Sequence, residues 1–228
     1  MEKLSASVAV VGAGDYIGAA IARRFAKDGY HIFAGRRNGD KLAPLTAEIE
    51  SLGGTCTSLT LDARQEDAVI EFIRRADEAA PLELAVFNIG ANVNYPLLDT
   101  TERVFRKVWE LACYAGFLTG REAARRMLAR GRGSIFFTGA TASVRGGSGY
   151  AAFAGAKFGL RAVAQSMARE LGPKNIHVAH LVIDSGVDTE WVRQRVVAAG
   201  GSLQDRVLMN PASIAETYWQ LHQQPRDA

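Results

Sequence analysis

Six short, mostly apolar runs alternate with stretches of helical periodicity along this chain, and that alternation restricts its fold more than any other feature. The runs fall at 8–11, 31–34, 55–61, 84–88, 134–138 and 177–183. They are mostly apolar throughout rather than on every second residue, as parallel strands covered on both faces must be. Between them, Ile17, Ile21 and Phe25 recur at four-residue spacing, and Leu42, Leu45, Ile49 and Leu52, then Val69, Phe72, Ile73 and Ala76, mark the apolar faces of a second and a third helix. A long helix is predicted over 103–130 and a second over 151–171, where Gly172-Pro173 stops it. Right-handed crossovers then build a doubly wound parallel sheet of the Rossmann type, α/β in class, with helices on both faces and six or seven strands. No repeat or linker divides residues 1–228, so one domain is expected. Residues 184–228 read as an irregular substrate-side cap and a terminal helix, with helical stretches near 190–198 and 214–223.

Composition narrows the function classes. With 48% hydrophobic and 22% charged residues the chain can bury a sizeable core. No apolar run reaches the roughly 18 residues needed to span a bilayer, so no membrane partner and a cytoplasmic location are expected. The net charge is +3, but the 27 Lys and Arg are interleaved with 24 acids, which argues against nucleic acid as a partner. Cys56 and Cys113 lack metal-ligand spacing, so they are expected as reduced, buried thiols and no metal site is expected.

The chemistry starts at the turn after the first run, Gly12-Ala13-Gly14-Asp15-Tyr16-Ile17-Gly18, which leads straight into a helix. Glycines there let the backbone turn sharply and approach a pyrophosphate, whose charge meets free N–H groups and the positive end of the helix dipole. Ile17 stands where the third glycine of the dinucleotide fingerprint would be. After the second run, Gly35-Arg36-Arg37-Asn38 carries two arginines where an NAD-selecting site places an acid, which points to a 2′-phosphate and hence NADP(H). The same arginines also read as a solvated basic turn. Asp62-Ala63 and Asn88-Ile89-Gly90-Ala91 close the third and fourth runs, at the strand ends where ligands bind in such sheets.

These residues resemble the short-chain dehydrogenase/reductase family from about residue 7 to 189. Gly12 to Gly18 is similar to its Thr-Gly-x-x-x-Gly-x-Gly loop, with Val11 for the threonine and Tyr16 for the middle glycine. Asp62 matches its adenine-contacting aspartate, and Asn88-Ile89-Gly90-Ala91 its Asn-Asn-Ala-Gly segment. Val187-Asp188-Thr189 resembles the end of its Pro-Gly loop, with Ile183-Asp184-Ser185-Gly186 in place of the Pro-Gly. The resemblance implies cofactor contacts from Gly12, Gly14, Tyr16, Ile17, Gly18, Arg36, Arg37, Asp62, Ala63, Asn88, Gly90, Lys157, Val187 and Thr189. It also implies a homodimer or homotetramer built on the two long helices, which fits the small residues at 151–156.

The family's catalytic set departs. Where its members carry Tyr-x-x-x-Lys, this chain reads Phe153-Ala154-Gly155-Ala156-Lys157; Ala140 takes the place of the serine and Ala112 that of the asparagine. Lys157 alone is retained, and the resemblance gives its ammonium a further use on the nicotinamide ribose hydroxyls. Phe153 has no proton to give, and losing a positioned acid costs about 10² to 10⁴ in rate. Other acids on the rim loops are Tyr95, Thr141, Ser143, Tyr150 and Asp184, of which Tyr150 lies seven residues, about 10.5 Å of helix, from Lys157. A divergent oxidoreductase acting on an unknown small molecule and a catalytically silent NADP(H)-binding protein are both consistent with this pattern.

Overall fold

A computed structural model of the chain describes residues 6–203 and 207–225. Residues 204–206 and 226–228 of the expected cap and terminal segment lie outside the described residues. Six strands, β1 (Ser7–Val11), β2 (His31–Arg36), β3 (Thr55–Thr60), β4 (Leu82–Phe87), β5 (Gly133–Thr138) and β6 (Ile176–Leu181), form one sheet in the order β3-β2-β1-β4-β5-β6. Every neighbouring pair is parallel. The order reverses between β1 and β4, which sets a crevice at the carboxyl ends of these two strands.

Strand alternation sorts the side chains into two cores. On one face Val8 and Val10 of β1 meet Leu84, Val86 and Phe136 under α1 (Ile17–Ala26) and α2 (Ala43–Ser51). On the other, Ala9 and Val11 join Phe87, Ile135 and Phe137 under α3 (Glu66–Ala79). The predicted faces of α1 to α3 are buried, apart from Ile17, which is half-buried at the start of α1, and Leu52, which follows the last turn of α2 and is 81% exposed.

The segment predicted as one long helix is continuous but not uniformly α. It runs as α4 (Glu102–Trp109), a π turn at Glu110–Tyr114 and α5 (Ala115–Leu128). The extra residue in a π turn shifts the side chains on either side of it out of a common 3.6-residue register. The second long helix, α6 (Ala151–Leu171), has the predicted bounds. Its small residues serve this chain's own packing: Ala152, Ala154 and Ala156 are buried with Val108 and Ala112, and Phe105 of α4 lies over Gly155.

Beyond β6 the chain forms α7 (Glu190–Ala198) and α8 (Pro211–Gln223). α8 packs on α1. Ile214, Ala215 and Tyr218 enter the core, Trp219 meets Phe25 edge-on at 5.3 Å, and Arg24 is paired with Glu216 and lies 4.0 Å over the Trp219 ring. Among the described residues no helix is long and apolar enough to cross a membrane, and no His, Cys, Asp and Glu cluster could hold a metal ion. Cys56 and Cys113 are buried free thiols.

Candidate functional site

A cleft of about 650 Å³ opens at the crevice. Its floor is the glycine loop. Gly12 turns back under β2, with its N–H and that of Ala13 donating to the Gly35 carbonyl at 2.9 and 3.0 Å. Its φ is +89°, and a Cβ there would stand 2.9 Å from the Asn88 carbonyl carbon, so only glycine fits both the turn and the approach of β4. At Gly18 a Cβ would meet the Gly12 oxygen at 2.5 Å, so this glycine closes helix α1 onto the loop. The N–H groups of Tyr16, Ile17 and Gly18 have no backbone acceptor among the described residues and stand at the positive end of α1. Those free donors in an open, glycine-lined turn fit a pyrophosphate.

Tyr16 does more than replace a glycine. Its hydroxyl accepts a hydrogen bond from the Glu190 N–H at 3.2 Å, tying the glycine loop to the first turn of α7 across the cleft. Thr189 caps that turn, its hydroxyl accepting from the Val192 N–H at 3.1 Å, and Val187 pairs with Met209. Tyr16, Val187 and Thr189 therefore form one lip of the cleft.

The opposite wall is a buried polar network. Asn88 donates from Nδ2 to the Gly12 carbonyl at 3.0 Å and accepts at Oδ1 from the Thr138 hydroxyl at 2.9 Å; that hydroxyl lies 2.6 Å from the Tyr218 hydroxyl. Lys157 reaches the same place from α6. It is 2% exposed, and Nζ donates to the Thr138 and Ile89 carbonyls at 2.9 and 3.1 Å. Burial pushes its pKa down to about 8, opposed only by the nearby Cys113 thiol. Phe153 lies one turn earlier, its ring centroid 6.0 Å from Nζ. Ala140 lines the cleft, and its N–H is capped by the Ser143 hydroxyl at 3.1 Å. Ala112 is fully buried on the π turn.

Of the residues singled out in the sequence, Gly12, Gly14, Tyr16, Ile17, Gly18, Asn88, Gly90, Lys157, Val187 and Thr189 line one cleft together with Phe153 and Ala140. Arg36, Arg37, Asp62 and Ala63 do not line it; they sit at the ends of β2 and β3. Arg36 is engaged by Asp15 of the glycine loop at 2.7 Å, and Asp62 by Arg64, which holds its carboxyl below the usual range. Among the other acids Tyr150 lines the cleft at the start of α6, and Thr141 donates to Asp184 at 2.5 Å on the rim. Sequence reasoning missed Thr138 and Tyr218. A tyrosine at a helical spacing from Ile214 reads as ordinary core, and nothing local links it to the end of β5.

The profile of the short chain dehydrogenase family matches residues 6–198. The chain belongs to this family. A 3-oxoacyl-(acyl-carrier-protein) reductase, MabA, of Mycobacterium tuberculosis is 30% identical over 191 residues, covering 83% of this chain and 72% of the relative. A short-chain dehydrogenase/reductase of Armillaria gallica is 31% identical over 173 residues, covering 74% of this chain and 66% of the relative. Among solved structures, a short-chain dehydrogenase from Rhodopseudomonas palustris is 62% identical, covers 98% of this chain and 94% of its own, and superposes with a TM-score of 0.85. A metagenomic short-chain oxidoreductase crystallised with NADP is 25% identical, covers 100% and 95%, and gives a TM-score of 0.81.

Proposed function

We propose that the protein is an NADP(H)-dependent oxidoreductase with an altered acid–base set. The observation that carries this reading is the meeting, in one cleft, of the glycine loop with its free N–H groups, Asn88, and the buried Lys157 ammonium. Bound NADP(H) supplies the hydride. Gly12, Gly14, Tyr16, Ile17 and Gly18 receive the pyrophosphate; Arg36 and Arg37 face the 2′-phosphate, Asp62 and Ala63 the adenine, and Asn88, Gly90, Val187 and Thr189 flank the nicotinamide end. Lys157, with two N–H groups on carbonyls, keeps its third for a ribose hydroxyl.

The chemistry this chain's own residues perform is positioning more than proton transfer. Phe153 and Ala140 offer no acid and no oxyanion donor at the family positions, while an ordered cofactor cleft still supplies proximity worth several kcal/mol. An enone or imine needs less help from an acid than a ketone does. The second reading, a silent NADP(H)-binding protein, draws on the same three apolar replacements, Phe153, Ala140 and Ala112. Exposed Phe105, Trp109, Phe117 and Phe158 on α4, α5 and α6 support association into a homodimer or homotetramer through these helices.

Calorimetric titration tests the cofactor half. NADPH should bind more tightly than NADH, and Arg36→Ala should narrow the gap by about 1 to 3 kcal/mol, the scale of a charge-assisted hydrogen bond. Absence of NADPH binding would overturn the reading. Binding without NADPH consumption on any carbonyl, enone or imine supplied would assign the silent alternative.

A further inference from the structure

The substrate end of the cleft is cationic and unmatched. Among the described residues one carboxylate lines the cleft, Asp15, and it lies at the glycine-loop end, neutralised by Arg36. The cations that line it among the described residues are Lys157, already directed at two carbonyls, and Arg145. Arg145 sits on the turn between β5 and α6, and its guanidinium has no carboxylate, carbonyl or ring partner among the described residues. Arg145 is exposed, as are Arg75 and Arg103, which have no ion pair among the described residues either; what distinguishes Arg145 is its place in the cleft lining.

The turn that carries Arg145 is braced on several sides. The Arg145 and Val144 N–H groups both donate to the Thr141 carbonyl at 3.0 Å, and the Thr141 N–H donates to the Ile183 carbonyl at 3.3 Å. The loop after β4 is tied on as well, by the Tyr95 N–H to the Gly149 carbonyl at 2.8 Å and by Asn94 Nδ2 to the Ser148 carbonyl at 3.3 Å. The backbone is thus fixed while the charged tip is left unsatisfied. Arg145 enters the cleft from the segment that follows β5, a strand two spacings, about 10 Å, from the β1 strand that leads into the glycine loop. The lining of the same cleft is also aromatic. Tyr150, Phe153 and Trp191 contribute rings, and Trp191 is 56% exposed, with Arg195 lying 5.2 Å from its ring centroid.

We infer that this end of the cleft binds a substrate bearing an organic anion, a carboxylate or a phosphate monoester, held by Arg145 and joined to an apolar body that lies against Tyr150, Phe153 and Trp191. A guanidinium presents a planar fork of donors that matches either anion with two parallel hydrogen bonds. Inside a cleft, with apolar rings displacing water, such a pair gains more than the same pair on an open surface. The inference rests on the proposed function only in taking this cleft as the substrate site.

The test uses three probe series of equal chain length, ω-phenylalkanoates, phenylalkyl phosphates and ω-phenylalkanamides, titrated into the full chain with and without saturating NADPH. At least one anionic series should bind about tenfold more tightly than the amides, the lower end for a charge-assisted hydrogen bond. Which anion wins identifies the headgroup. Arg145→Gln should erase the difference and leave NADPH affinity unchanged, and Arg145→Lys should retain part of it. Equal binding of acids and amides, a preference that survives in Arg145→Gln, or no binding of any series in either state would each overturn the anion site. Loss of NADPH binding in the parent would instead overturn the cofactor reading, with the acid-to-amide ratio of the free protein still reporting on Arg145.

Discussion

Lys157 gives the protein a pH dependence of definite sign. In the folded chain it is 2% exposed and its pKa is depressed from 10.5 to about 8 by burial, with Cys113 pulling weakly the other way. The unfolded chain restores the ordinary value. Between these two pKa values the unfolded state binds the proton that the folded state has released, so stability rises with pH across that window. The full interval corresponds to about 3 kcal/mol, of which about 2 kcal/mol is gained between roughly pH 7 and 9.5. Below the folded value Lys157 is an ammonium in both states and its contribution is flat. Cys113, whose pKa burial raises, acts in the opposite direction above the ordinary thiol pKa, so the parent's absolute profile mixes the two. The difference between the parent and Lys157→Met isolates the lysine together with its downward pull on the Cys113 thiol. Methionine fills the same volume without a charge and leaves the Ile89 and Thr138 carbonyls without this donor, a cost of about 1 to 3 kcal/mol for each that does not vary with pH. Urea unfolding of the cofactor-free protein at the two pH values measures both. The parent should gain about 2 kcal/mol relative to Lys157→Met on going to the higher pH. Parallel profiles, or a parent that loses ground, would refute the account of a buried, charge-penalised lysine.

Restoring a phenol tests the apolar catalytic set. Phe153→Tyr with Ala140→Ser should raise NADPH-dependent reduction of small activated ketones by about 10²-fold or more over the parent, and Phe153→Tyr alone by less, with NADPH affinity nearly unchanged; a double variant that binds NADPH but gains nothing would show that the cleft has been reshaped beyond a missing acid. Light scattering at micromolar concentration should report a dimer or tetramer, and Phe105→Glu with Phe158→Glu should shift it toward monomer; a parent of monomer mass would rule out association through α4, α5 and α6.

Much of the fold was legible because its determinants are local. Apolar runs of strand length, helical stripes such as Val69, Phe72, Ile73 and Ala76, and the Gly172-Pro173 stop depend on neighbours a few residues apart, and all reappear in the structure. The Phe153 and Lys157 pair was legible for the same reason, since a spacing of four on a helix fixes their mutual placement. Other features depended on what the folded sheet brings together. The burial of Lys157 comes from carbonyls at the ends of β4 and β5, and Tyr218 reaches Thr138 only because α8 packs back on α1. Arg36 reads as a free cation in the sequence, yet the first βα turn sets Asp15 against it. Tyr16 is bound to a backbone group 174 residues away. Charge state and partner choice at these positions are set by desolvation and by distance in space, which residue order alone does not encode.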